Sequence, residues 1–147
     1  MQQSVRPLEL DDVAEVAALE RMARTALLEQ RGGPALMAEQ PPVGDWAALV
    51  GHTSQRVWIA VIDEVPVGYL QCRIVAGGAA EVLQVFVHPE ARELGFGDWL
   101  LEAALHAARD AGSTVLEGTA LPGDRDTKNL YERAGIKARK ITVSLPL

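Results

Sequence analysis

Apolar side chains recur along this chain with two different periods, and the alternation between them outlines the fold. Val13, Val16, Ala17, Leu19 and Ala23 fall at three- and four-residue steps, which predicts a helix continuing to about Leu28. Asp11 or Asp12 is the expected cap through its side-chain oxygen, and Arg31-Gly32-Gly33-Pro34 breaks the pattern. Leu100, Leu101, Ala104, Leu105 and Ala108 repeat the same spacing and predict a second helix over 97–111, with Gly112 at the C-terminal cap. Between the two helices lie β-rich runs. Val57–Ile62 and Val67–Val75, joined across the polar Asp63-Glu64, predict a hairpin. Glu81–Val87 is apolar enough to predict a strand covered on both faces.

The flanks are less regular. Ser4–Leu8 reads as extended, because the residue before Pro7 avoids the helical region. Residues 35–51 are ambiguous, with Asp45 placed to cap a short helix through Trp46–Val50. Another strand starts at Ser113–Leu116. Asp124 then caps a helix over Arg125–Arg133 that Gly135 stops. Ile141–Leu145 alternates as a final strand should. The expected order is β-α-(α)-β-β-β-α-β-α-β in one domain over residues 1–147, without repeat or linker.

Composition narrows the class. A length of 147 residues with 48% hydrophobic and 23% charged residues suits one globular domain and excludes disordered or collagen-like chains. The single cysteine, Cys72, rules out an internal disulfide framework and fits a reducing compartment. The first twelve residues include Glu9, Asp11 and Asp12 and lack a secretory pattern, and no apolar run spans a bilayer, so a cytoplasmic location without membrane is expected. The net charge of −6 disfavours generic nucleic-acid binding, which relies on basic residues. His52, His88 and His106 have no metal-ligand spacing with one another or with Cys72, so no metal is expected.

The most informative stretch is Val87-His88-Pro89-Glu90-Ala91-Arg92-Glu93-Leu94-Gly95-Phe96-Gly97. A buried strand ends, two glycines follow one residue apart, and a helix begins. Glycine permits close backbone approach, and the helix start offers free N–H groups and a positive dipole end, so this pattern suits a phosphate or pyrophosphate. A tight turn with no ligand would use the same residues. Two nucleotide motifs are excluded: Asp98-Trp99 replaces the Lys-Ser/Thr of a P-loop, and Leu100 replaces the third glycine of a dinucleotide fingerprint.

Arg92–Gly97 resembles the Arg/Gln-x-x-Gly-x-Gly/Ala signature of the GNAT superfamily of acyl-CoA-dependent N-acetyltransferases, with a Val-x-Pro-Glu lead-in at Val87–Glu90. The opening Val5-Arg6-Pro7, the hairpin with Val67-Gly68 and the late Leu130-Tyr131-Glu132-Arg133-Ala134-Gly135-Ile136 are similar to further parts of that family in the same order. The resemblance implies an α/β fold with a central mixed sheet flanked by helices and two splayed parallel strands at the cofactor site. It implies that Arg92, Glu93, Leu94, Gly95, Phe96 and Gly97 hold the CoA pyrophosphate and that Val85, Phe86 and Val87 line the pantetheine arm. Asp124 and Lys128, at the start of the late helix, are further expected contacts. Three departures stand out. Glu93 replaces a common glycine, Asp98 a basic or small residue, and Asp124 an asparagine seven residues before the tyrosine. The basic residues that could compensate are concentrated in 125–140, where Arg125, Lys128, Arg133, Lys137, Arg139 and Lys140 face only Asp126 and Glu132.

Acetyl transfer to an amine needs a base for the ammonium proton, a donor for the thioester oxygen and a proton for the leaving thiolate. Glu81, eleven residues before Arg92, matches the offset of a catalytic glutamate in some family members. His88 is a second candidate base, and Gln84 can orient water. Tyr131 matches the family's tyrosine beside the CoA sulfur and is the expected acid. Cys72 reads as a small core residue, and Trp46 lies where the family gathers its acceptor pocket. The expected activity is direct acetyl transfer from acetyl-CoA to an amine-bearing acceptor, with a homodimer left open. The alternatives are a non-catalytic acyl-CoA-binding sensor or partner module and an enzyme using another acyl-CoA or a non-amine acceptor.

Overall fold

The computed structural model describes residues 1–147. Five strands, β1 (Gln3–Pro7), β2 (Gln55–Ile62), β3 (Val65–Arg73), β4 (Ala79–Val87) and β5 (Val115–Gly118), form one sheet in that spatial order. Four α-helices accompany them: α1 (Val13–Leu28), α2 (Gly33–Glu39), α3 (Phe96–Asp110) and α4 (Arg125–Arg133). The first three strand pairs are antiparallel. β4 and β5 are parallel, because α3 carries the chain back between them.

The expected hairpin closes through Asp63 and Glu64, both at positive φ, between the paired Ile62 and Val65. That is the two-residue turn whose twist matches the strands it joins. β3 and β4 then diverge from simple alternation. Their register shifts between Gln71 and Cys72, leaving Leu83 of β4 without an opposite residue. The bulge turns the side chains beyond it relative to those before it.

Each face of the sheet has its own core. Phe96, Leu100, Leu101, Ala104 and Ala108 of α3 pack with Trp58, Leu70, Cys72, Ala80 and Val82, joined by Leu130 and Tyr131 of α4. Val16 and Leu19 of α1 pack on the other face with Leu8, Trp46, Val57, Ile59, Val61 and Tyr69. Burying each large aliphatic side chain here contributes about 1.5–3 kcal/mol.

The structure corrects three local expectations. Residues 134–147 contain no strand, and Ile141, Val143 and Leu145 are 83%, 88% and 79% exposed. Alternation alone does not make a strand, and this segment pairs with no other strand. Asp12 does not cap α1 with its side chain. Its carboxylate instead accepts from Arg6 at 2.6 and 2.9 Å and from the Glu9 amide at 2.8 Å. Burial alone would raise the Asp12 pKa, but these three donors outweigh it and leave it below the ordinary value. Pro34 also does more than break a helix. It lies in the first turn of α2, where its missing N–H costs nothing.

Candidate active site

The parallel pair β4–β5 is joined only from Ala79–Val115 to Val82–Gly118. Beyond Val82, β4 runs on to Val87 paired with β3 on one edge and with no strand on the other, so main-chain donors and acceptors on that second edge lack a ladder partner. A cavity of about 230 Å³ opens at this splay. Leu83, Gln84 and Val85 form its β4 wall, Thr119, Asp124, Thr127 and Tyr131 its far wall, and Arg24, Met37 and Gln40 the part beneath α1 and α2.

Tyr131 is buried at 6% exposure, and its hydroxyl lies against Gly118, the last residue of β5. A Cβ at Gly118 would collide with that hydroxyl and its ring carbon, so only glycine allows the tyrosine this position. Burial is the main reason the Tyr131 pKa rises, with the charges of Asp124 and Glu81 adding to it. The phenol therefore keeps its proton throughout the neutral range.

Glu81 stands two residues before the bulge, half exposed, with Arg73 3.3 Å from its carboxylate. Arg73 lines the cavity, whereas Glu81 lies just outside its lining. Val85 lines the cavity, Phe86 packs beside Tyr69 with ring centroids 6.4 Å apart, and Val87 ends the strand. His88 accepts from the Glu90 amide through Nδ1 at 3.1 Å and so caps the short 3-10 turn Pro89–Ala91.

The segment Arg92–Gly97 leads from that turn into α3. Arg92, Glu93, Leu94 and Gly95 are exposed, while Phe96 is buried and anchors the helix start. Gly95 caps α3 at φ +84. Glu93 is also left-handed, at φ +66, which explains the preference for glycine there: a side chain in this region costs about 1–2 kcal/mol. Asp98 does not stand free beside the loop. Its carboxylate accepts from Arg133 of α4 at 3.0 Å. Arg92 donates to the Val87 carbonyl at 3.1 Å and reaches Asp126 at 3.6 Å. The two ion pairs connect this segment to α4.

Asp124 caps α4, accepting from the Thr127 amide at 3.2 Å and its hydroxyl at 2.7 Å. That role needs only a short side-chain acceptor, which aspartate and asparagine both supply. Arg125 and Lys128 are exposed on the same helix and have no ion-pair partner. Cys72 is fully buried and its thiol is pushed up to about 11 by burial, so it is a core residue.

A polar network beneath the cavity was missed in the sequence. Gln84 accepts from the Tyr69 hydroxyl at 2.7 Å and donates to Gln71 at 3.0 Å and to Glu20 at 2.8 Å. Glu20, only 3% exposed, also accepts from the Val43 amide at 3.1 Å. A signal existed: Glu20 lies four residues after Val16 and beside Leu19, on the buried stripe of α1.

A family model described as the acetyltransferase (GNAT) family matches residues 19–136. No curated relative matches the sequence. Among solved structures, a mutant protein from Bacillus halodurans is 19% identical with a TM-score of 0.80, covering 98% of this chain and 99% of its own. Aminoglycoside N-acetyltransferase AAC(6')-Iy in complex with CoA is 12% identical with a TM-score of 0.73, covering 98% of both chains. A ribosomal-protein-alanine N-acetyltransferase from Brucella melitensis is 20% identical with a TM-score of 0.71, covering 99% of both. At these identities the likeness is one of fold.

Proposed function

The chain belongs to the acetyltransferase (GNAT) family, and from that premise we propose that it transfers an acetyl group from acetyl-CoA to the amine of an acceptor. The observation that carries this reading is the splay of β4 from β5, with a buried, proton-bearing Tyr131 at its apex. The backbone of Val85–Val87 hydrogen-bonds the pantetheine arm, as a missing strand would. The amides of Arg92–Gly97 at the start of α3 receive the pyrophosphate, and Arg125 and Lys128 supply nearby positive charge. Asp124 acts by holding the first turn of α4.

Chemistry proceeds by direct attack. The amine nitrogen bonds to the thioester carbon, the carbonyl oxygen takes charge beside an unpaired β4 amide, and the carbon–sulfur bond breaks. Tyr131 protonates the leaving sulfur. An alkylamine has a pKa near 10.4, so its proton must be removed before attack. Glu81 takes that proton through water, held in place by Arg73. Burial keeps the Tyr131 phenol protonated and so available as a donor, while also making it a weaker acid, so transfer depends on the charge of the departing thiolate.

Titration calorimetry should show saturable acetyl-CoA binding, and thiol release should follow when a panel of primary amines is added. Tyr131→Phe should lower kcat about 100-fold while leaving acetyl-CoA affinity within a factor of two or so. Absence of binding sinks the cofactor assignment. Binding with no thiol release against any amine removes the catalytic reading, and an unchanged kcat in the variant removes Tyr131 from the reaction.

A further inference from the structure

Resting on the acetyl-transfer reading above, we infer that the acceptor is an amino acid with an apolar side chain, and that Arg24 receives its carboxylate. Arg24 of α1 is half-buried, lines the cavity and has no ion-pair partner. It donates to the carbonyls of Gln40 at 2.6 Å and Met37 at 3.3 Å, at the C-terminal end of α2. Those two bonds leave other N–H donors of the guanidinium without a protein partner. A charge drawn partly out of water without a counter-charge is costly, so this position suits an anionic group brought by a ligand.

The carboxylates nearby are otherwise engaged. Glu20 lies one turn earlier on α1, but it accepts from the Val43 amide at 3.1 Å and from Gln84 at 2.8 Å. The charge of Arg24 still reaches inward. Burial is the main cause that raises the Tyr69 pKa; Glu20 adds to it and Arg24 opposes it, and Tyr69 lines the same cavity. Of the other charged residues in the lining, Arg73 is paired with Glu81 and Asp124 accepts from Thr127. Glu39 is exposed to solvent. A polycationic acceptor needs several inward carboxylates, and this lining offers it an unpaired guanidinium instead.

The walls around Arg24 describe the rest of the acceptor. Leu27, Leu36 and Met37 line the cavity from α1 and α2, so the body of the ligand meets apolar surface there. A volume of about 230 Å³ keeps that body small. An arginine fork takes a carboxylate through two parallel N–H···O bonds, which fix orientation as well as position. An amino acid held this way keeps its amine in the cavity that Tyr131 also lines.

Thiol release from acetyl-CoA, with leucine, leucinamide, isoamylamine and spermidine as acceptors, tests this on the full chain. Leucine should exceed leucinamide in kcat/KM by about 100-fold. The amide lacks the negative charge beside its amine, which lowers the amine's pKa and leaves more of it ready to attack. Basicity therefore works against the expected order. Arg24→Gln should raise the KM for leucine about 100-fold and alter kcat/KM for isoamylamine by about two-fold at most. Arg24→Lys, which keeps the charge and loses the fork, should raise the KM for leucine about 10-fold. If Arg24 only fastened α2, each variant would lose both acceptors in proportion. That result, no thiol release with leucine, or any of the other three amines matching leucine would overturn the acceptor assignment while acetyl-CoA still binds. Acetyl-CoA that fails to bind in calorimetry removes the transfer reading itself, and the assignment with it.

Discussion

The two faces of the sheet differ in kind. Under α3, fifteen buried residues meet with almost no polar side-chain groups, the exceptions being the Tyr131 hydroxyl, the Trp58 indole N–H and the Cys72 thiol. Under α1, eight buried residues, Tyr69 among them, lie beside a hydrogen-bonded group of Glu20, Gln84, Gln71 and the Tyr69 hydroxyl. The apolar face is held by area removed from water, which tolerates any well-packed hydrophobic set. The polar face depends on every partner being present, because an unsatisfied buried group costs its full desolvation. Both faces contribute to the cavity, Gln71 and Gln84 from this one and Val82, Val85 and Tyr131 from the other. What distinguishes the polar face is that its part of the cavity wall rests on buried hydrogen bonds.

This contrast can be broken by substitution. Leu100→Ala removes a fully buried side chain from the apolar face. Denaturant titration should show a loss of about 3–4 kcal/mol, with activity per folded molecule nearly unchanged. A fall in specific activity beyond the unfolded fraction would erase the division between the faces. Glu20→Ala should cost less, about 2 kcal/mol, by leaving the Val43 amide without its partner and Gln84 with one bond fewer. Here activity should fall further than stability, because Gln84 then turns in the cavity wall. Equal losses in melting and turnover would make the network merely structural.

A smaller effect sharpens the boundary of the polar face. Asp12→Asn should lose about 1–2 kcal/mol near neutral pH, because Arg6 is partly exposed and water screens what remains. The folded-state pKa of Asp12 is depressed, so its contribution is complete above the ordinary carboxylate value near 4 and disappears as pH falls through the folded value. Wild type and variant should thus converge in stability as pH drops below about 4; a constant gap would show that the ion pair is not the source. The least effect belongs to Glu93→Gly, which relieves a left-handed side chain and should add about 0.5 kcal/mol. It should also tighten acetyl-CoA binding by removing a carboxylate near the pyrophosphate. Weaker binding would contradict the assignment of that segment.

The sequence made one face more legible than the other. The stripe Leu100, Leu101, Ala104 and Ala108 announces α3 by its period, and the Gly-x-Gly beyond β4 announces the turn before it. Glu20 and Gln84 sit in equally regular patterns, but nothing local distinguishes a buried glutamate from a solvated one. Their partnership joins residues 64 positions apart and exists only after α1 crosses β4. Trp46 is similar: its burial against Tyr69, with ring centroids 5.6 Å apart, depends on the packing of an irregular segment. The alternation at Ile141–Leu145 is the reverse case. The pattern is visible in the sequence, but a strand exists only once it is paired, and this segment pairs with none.

The pairs Arg92–Asp126 and Asp98–Arg133 have a consequence for motion as well as for charge. A nine-residue helix is too short to persist alone in water, so α4 owes its order to Leu130 and Tyr131 below and these two clasps above. Anything that fastens the Arg92–Gly97 segment should therefore slow the local opening of a helix that is remote from it in sequence. Amide protons of α4 would then register occupancy through their exchange rates, making that helix a built-in reporter.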